Sequence, residues 1–158
     1  LAGSQNKDIA VQGRYLAGLS QALSGQPREG LAACQEASET AATLNDPLLL
    51  SKSQLALAEA SLASGETQLA IDNALKSQVF FASAGLSESE WRAWLIAGLA
   101  SQKIGDQNNA QLYLTRAAER LSGLQQKWGA EVFGKYLTRS DIQSYYKQLG
   151  NIGSVAQP

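Results

Sequence analysis

Three glycines, Gly25, Gly65 and Gly105, stand forty residues apart, and this spacing constrains the fold more than any other feature of the chain. Written in blocks 11–50, 51–90 and 91–130, the sequence brings further small residues into register. Gly18, Ala58 and Gly98 share the column seven places before the loop glycine. Gly30, Ala70 and Ala110 share the column five places after it, followed by Cys34, Ala74 and Leu114, then Ala37, Ser77 and Ala117. A fixed period of this length is the mark of a repeat architecture in which each unit buries its apolar face against the next.

Each unit reads as a helical hairpin. A glycine at the end of a first helix takes the left-handed C-cap conformation without a Cβ penalty. Small residues in mid-helix let two backbones approach along their length. Leucines recur at helical spacing between the columns, for instance Leu16, Leu19 and Leu23. Period-two runs of β-branched and aromatic residues do not occur, so no strand is expected. The chain is expected to be all-α.

The local signals predict helices over 8–24, 27–44, 47–64, 67–84, 88–104 and 107–127. Pro27 occupies a favoured first-turn position, and Asn45, Asp46 and Pro47 form a break. Gly85 closes the fourth helix. Ser87, with Glu90 three residues on, suggests a capping box for the fifth, and Asp106 can cap the sixth. Residues 130–150 leave the repeat and carry Phe133, Tyr136, Ile142 and Tyr145, so two short helices are expected there, covering the end of the stack. Ser140 and Asp141 would cap the second of these. The expected organisation is a linker or disordered segment at 1–7, one domain over 8–150 with repeats at 8–46, 47–86 and 87–129 and a cap at 130–150, and a flexible tail at 151–158.

The columns resemble the tetratricopeptide repeat, whose pattern W-x2-L-G-x2-Y is followed by A-x3-F and a later small residue. The third block fits best, with Trp94, Ala97, Gly98 and Ser101, then Ala110, Leu114 and Ala117. The first has Arg14, Ala17, Gly18, Gln21, Gly30, Cys34 and Ala37; the second has Gln54, Leu57, Ala58, Ser61, Ala70, Ala74 and Ser77. The family's tyrosine is replaced by Gln or Ser throughout and its closing proline is absent. The forty-residue period, against 34 in the family, implies lengthened helices and is similar to repeats of bacterial regulatory and signalling proteins. The resemblance covers roughly residues 8–128. It implies a right-handed superhelix of three hairpins plus a C-terminal cap.

The residue inventory excludes much chemistry. The chain has no histidine and one cysteine, Cys34, so Ser-His-Asp and Cys-His sites, His-ligated zinc and an intrachain disulfide cannot be built within it. Cys34 lies in a small-residue column and is expected to be a buried hydrophobe rather than a nucleophile. No glycine-rich phosphate loop occurs, and carboxylates such as Glu36 and Glu39 read as solvated helix surface. A net charge of -1 gives no footprint for nucleic acid, and no apolar run approaches the length needed to cross a bilayer. No catalytic residue, metal or cofactor is expected. Ten of the eleven aromatics lie from Phe80 onward, and core packing explains Phe80, Phe81, Trp91 and Trp94 better than ligand anchoring. Leu1 to Lys7 lack the regions of a secretory signal, which leans toward a cytoplasmic setting, while the missing initiator Met suggests a processed or excised form.

In the family the first helices line the concave side of the superhelix. The resemblance therefore implies inner-face positions at Gln12, Tyr15, Leu19 and Ala22, at Lys52, Leu55, Glu59 and Leu62, and at Arg92, Leu95, Leu99 and Gln102. Of these, Gln12, Tyr15, Lys52, Glu59, Arg92, Leu99 and Gln102 are the candidate partner-binding residues. Lys52 and Arg92 favour a protein or peptide bearing apolar and acidic side chains. Tyr15 and Leu19 stand where some family members carry a carboxylate-binding Lys and Asn, so that specificity is not implied. The function expected is non-catalytic protein interaction. The alternative is self-association as a homodimer, or docking within a larger protein.

Overall fold

The computed structural model describes residues 2–155, with side chains placed from Asn6 to Gly150. Seven helices make up these residues: α1 (Ala2–Leu23), α2 (Pro27–Ala42), α3 (Pro47–Ser64), α4 (Thr67–Ser83), α5 (Ser87–Lys103), α6 (Gln107–Leu137) and α7 (Ser140–Val155). Helices pack in sequential pairs, α1 on α2, α3 on α4 and α5 on α6, and each pair packs on the next. This is an all-α helical-repeat arrangement.

The expected starts and stops fall within a residue or two for the middle helices. Pro27 and Pro47 open α2 and α3, and the Asp46 carboxylate accepts from the Leu48 and Leu49 amides at 3.0 Å. Gly65, at φ 83°, closes α3 in the left-handed conformation while the next amide, of Glu66, donates back to Ser61 O at 2.9 Å. Asp106 accepts from the Asn109 amide at 3.1 Å, as expected of its cap. α1 begins at Ala2, ahead of the expected start at residue 8, and α7 continues to Val155, beyond Gly150. Leu1 and 156–158, which belong to the expected linker and tail, lie outside the described residues.

Two capping expectations fail. Leu86, not Ser87, precedes α5, and no side chain caps that end. Glu90 is turned inward instead. It is 3% exposed, and its Oε1 accepts from Arg120 at 3.0 Å, Gln78 at 3.2 Å and Trp94 at 3.3 Å, so it ties α4, α5 and α6 together. Asp141 pairs with Arg139 at 2.7 Å rather than serving as a cap.

Glycines of the small-residue columns sit at tight helix crossings. A Cβ placed on Gly30 would lie 2.3 Å from Gly18 O and 2.4 Å from Ala22 N, and one on Gly98 would lie 2.6 Å from Leu114 Cγ. Core side chains fill the space around these crossings. One cluster joins Val11, Tyr15, Cys34, Leu49 and Leu57. A larger one gathers Trp91, Leu95, Ile96, Leu114, Leu121, Phe133, Tyr136 and Ile142. Each large side chain fully buried there contributes about 1.5–3 kcal/mol.

α6 turns sharply at Gly129, where φ 77° and ψ 163° fall in a region open essentially to glycine alone. The turn folds Phe133 and Tyr136 back over the third repeat. There the Trp91 Nε1–H donates to Tyr136 Oη at 2.9 Å, and Trp91 meets Tyr145 edge to face. Phe81 and Trp91 are fully buried, in line with the packing role expected of those aromatics.

Candidate functional site

The odd-numbered helices present one continuous side of the stack, and a hollow of about 400 Å³ opens on it. Leu62 and Ala63 of α3, with Ile96 and Leu99 of α5, supply its apolar floor. Gln102 and Lys103 form one rim, Leu23 of α1 another, and Tyr145 and Gln148 of α7 close the far side. Ile142 is fully buried and anchors α7 in that position.

Glu59 also borders the hollow, although only 3% of its surface is exposed. Its Oε1 accepts from Arg92 Nη2 at 2.9 Å. The Arg92 guanidinium in turn lies 5.2 Å from the Tyr145 ring centroid, a cation–π distance. Neither Glu59 Oε2 nor Arg92 Nε has a hydrogen-bond partner. Burial opposes the charge on Arg92, but the adjacent Glu59 carboxylate more than offsets it and holds the guanidinium ionised. Burial raises the Tyr145 phenol, and the Glu59 charge adds to that rise against the opposing effect of Arg92. At neutral pH the floor therefore carries a locked, internally neutral pair beside a neutral phenol.

The expected inner-face residues do not share one environment. Glu59, Leu99 and Gln102 meet at the hollow. Gln12 and Lys52 are exposed on the surface outside it. Tyr15, expected to be accessible, is 9% exposed and packed in the first core cluster, and Leu55 and Leu95 are buried as well. Tyr15 turns into the packing of α1 on α2 and α3, while α3 and α5 are enclosed by neighbours before and behind, so offsets that imply a free face instead meet packed side chains. Arg92 is half-buried and committed to Glu59, which removes it as a free positive charge.

Sequence reasoning missed Lys103, Tyr145 and Gln148. The last two lie in the cap, and the turns at Gly129 and at residues 138–139 bring them to the hollow. Cys34 is fully buried, donates its thiol to Tyr15 O at 3.6 Å, and is pushed up to about 12 by burial and then by the Glu59 charge. Among the described residues no group of three His, Cys, Asp or Glu side chains is placed to hold a metal ion, and no helix is long and apolar enough to cross a membrane.

No family model, curated protein or solved structure matches the chain. The hollow and its charges must therefore be interpreted from their own chemistry.

Proposed function

We propose that the odd-numbered helices form the inner face of a right-handed, tetratricopeptide-like superhelix, and that their hollow receives a protein or peptide segment without catalysing a reaction. The observation that carries this reading is the hollow itself. An apolar floor of Leu62, Ile96 and Leu99 sits beneath a polar rim of Gln102, Lys103 and Gln148, the arrangement that suits an apolar anchor with hydrogen-bonding flanks. The Glu59–Arg92 pair neutralises itself, so the free positive charges near this face are Lys52 and Lys103. They favour a segment with one or two acidic residues beside its apolar anchors. The absence of histidine and the burial of the single cysteine support a binding role over a catalytic one.

The test is selection of peptides from a random display library on the immobilised chain, followed by calorimetry with wild type and Leu99→Lys. Enriched peptides should combine apolar and acidic residues and should lose at least tenfold in affinity, about 1.4 kcal/mol, in the variant. Circular dichroism should show an unchanged fold, because Leu99 is only partly buried. A library that yields no binder, or binders indifferent to Leu99→Lys, would refute the proposal.

A further inference from the structure

α7 belongs to no repeat, yet it lies on the same inner face that carries the hollow. The turns at Gly129 and at residues 138–139 direct it back over the stack. Tyr145 and Gln148 then border the hollow together with Leu23 of α1 and with Leu62 and Ala63 of α3. Its inward side chains are Ile142, Tyr145 and Leu149, which pack in the larger core cluster. They stand at i, i+3 and i+7, the anchor spacing of an amphipathic helix held in a groove. With Asp141 one residue ahead of them, α7 combines apolar anchors and an acidic side chain, as does the segment proposed for the hollow.

We propose that α7 is an internal occupant of the partner's berth, and that the partner is an amphipathic helix of the same anchor spacing that binds by displacing it. This rests on the reading of the inner face as a binding surface. The open hollow is too small for such a helix. Two helical turns, about 11 Å long and about 11 Å across with side chains, fill about 1,000 Å³, whereas the hollow holds about 400 Å³. A helical partner therefore needs the space that α7 fills. The docked arrangement also carries a cost that favours release. It sets the Tyr145 ring against the Arg92 guanidinium while Glu59 Oε2 and Arg92 Nε stay buried without partners. Lifting Tyr145 admits water to both, and a buried polar group gains by being paired. Anchoring is lean as well. The backbone of α7 packs on α5 and α6 alone, whereas each helix from α2 to α5 is gripped by the helix before it and the helix after it. An element held this way opens at a lower free energy than the core and yields to a competitor.

The test uses the whole chain and a peptide selected from the display library. Hydrogen exchange of the wild-type chain, alone and saturated with that peptide, should show α7 amides exchanging at least about tenfold faster in the complex while α3 and α5 keep their protection. Tyr145→Ala loosens α7 and should bind the peptide about tenfold more tightly, because a larger fraction of chains has the berth open. Gly150→Ala strengthens α7 at a position with nothing within 4 Å of the new Cβ. It adds helix propensity without touching the core, and should bind about threefold more weakly. A bound peptide that leaves α7 protected, a Gly150→Ala chain that binds as wild type does, or a folded Tyr145→Ala chain that binds no more tightly overturns displacement and leaves the hollow as a binding site. A library that yields no peptide overturns both.

Discussion

Arg92→Ala should destabilise the chain far more than removal of a surface charge. In the native structure Glu59 is 3% exposed, its Oε1 depends on Arg92, and its Oε2 already lacks a partner. Truncating the arginine would leave a buried carboxylate with neither a counter-charge nor a hydrogen bond. Breaking a buried pair in this way costs about 3–5 kcal/mol, a large part of the about 5–15 kcal/mol that holds a domain folded. At about 2–4 °C per kcal/mol for a chain of this size, the melting temperature should fall by about 6–20 °C. The chain's own repeats supply the control. Glu59 occupies a column filled by Leu19 and Leu99, and Arg92 occupies the column of Gln12 and Lys52. The double variant Glu59→Leu, Arg92→Gln replaces the pair with residues the register already uses, and it should fall within about 1 kcal/mol of wild type, since apolar replacement of a buried pair is often neutral or better. Urea unfolding of wild type, both single variants and the double variant gives the coupling directly. Added salt should barely change it, because buried charges are weakly screened. The reasoning fails if Arg92→Ala costs under about 1 kcal/mol, or if the double variant is as unstable as the worse single variant.

Gly30→Ala should destabilise by about 1–3 kcal/mol in urea unfolding despite alanine's better helix propensity, because the new methyl collides with backbone of α1. Gly123→Ala, with nothing within 4 Å of its Cβ, should stabilise by up to about 1 kcal/mol. Cys34 should resist a thiol reagent until the chain unfolds. Its thiol is raised from 9.0 to about 12, and the Tyr136 phenol from 10.0 to about 12, chiefly by burial. Both groups are neutral in the native state at lower pH, so their contribution is intact below about pH 9 and is lost as pH rises toward 12; ellipticity followed through an alkaline titration checks the sign. Trp91→Phe leaves the Tyr136 hydroxyl without its donor and should cost about 1–3 kcal/mol by thermal melting. Gly129→Ala forces a side chain into the turn at φ 77°, and should red-shift tryptophan emission as the cap lifts from Trp91.

The sequence reveals most of the helix order because the punctuation is local. Pro27, Pro47, Gly65 and Gly105 act on their own backbone, and no distant contact is needed to interpret them. Glu90 shows the opposite case. Its spacing from Ser87 suggests a cap, yet its partners Gln78 and Arg120 lie on other helices, and a single solvated cap cannot compete with three donors, Gln78, Trp94 and Arg120, converging on one buried carboxylate oxygen. The groove was legible only as columns. Those columns contain both Glu59 and Arg92, but the ion pair runs diagonally between repeats, 33 positions apart, so neither column announces it. Tyr145 and Gln148 reach the hollow through two successive turns, at Gly129 and at residues 138–139, whose directions no residue pattern specifies.

The uneven finish of the two ends gives the stack a mechanical polarity. Among the described residues, α7 at the C-terminal end rests on α5 and α6 alone, held by Ile142 and by Tyr145 against Trp91. At the N-terminal end α1 packs along both α2 and α3 through Val11, Tyr15, Gly18 and Ala22. A load applied between the termini should therefore draw α7 away first and leave α1 docked longer. Where the chain is tethered, then, the end by which it is held decides whether it yields early or stays folded.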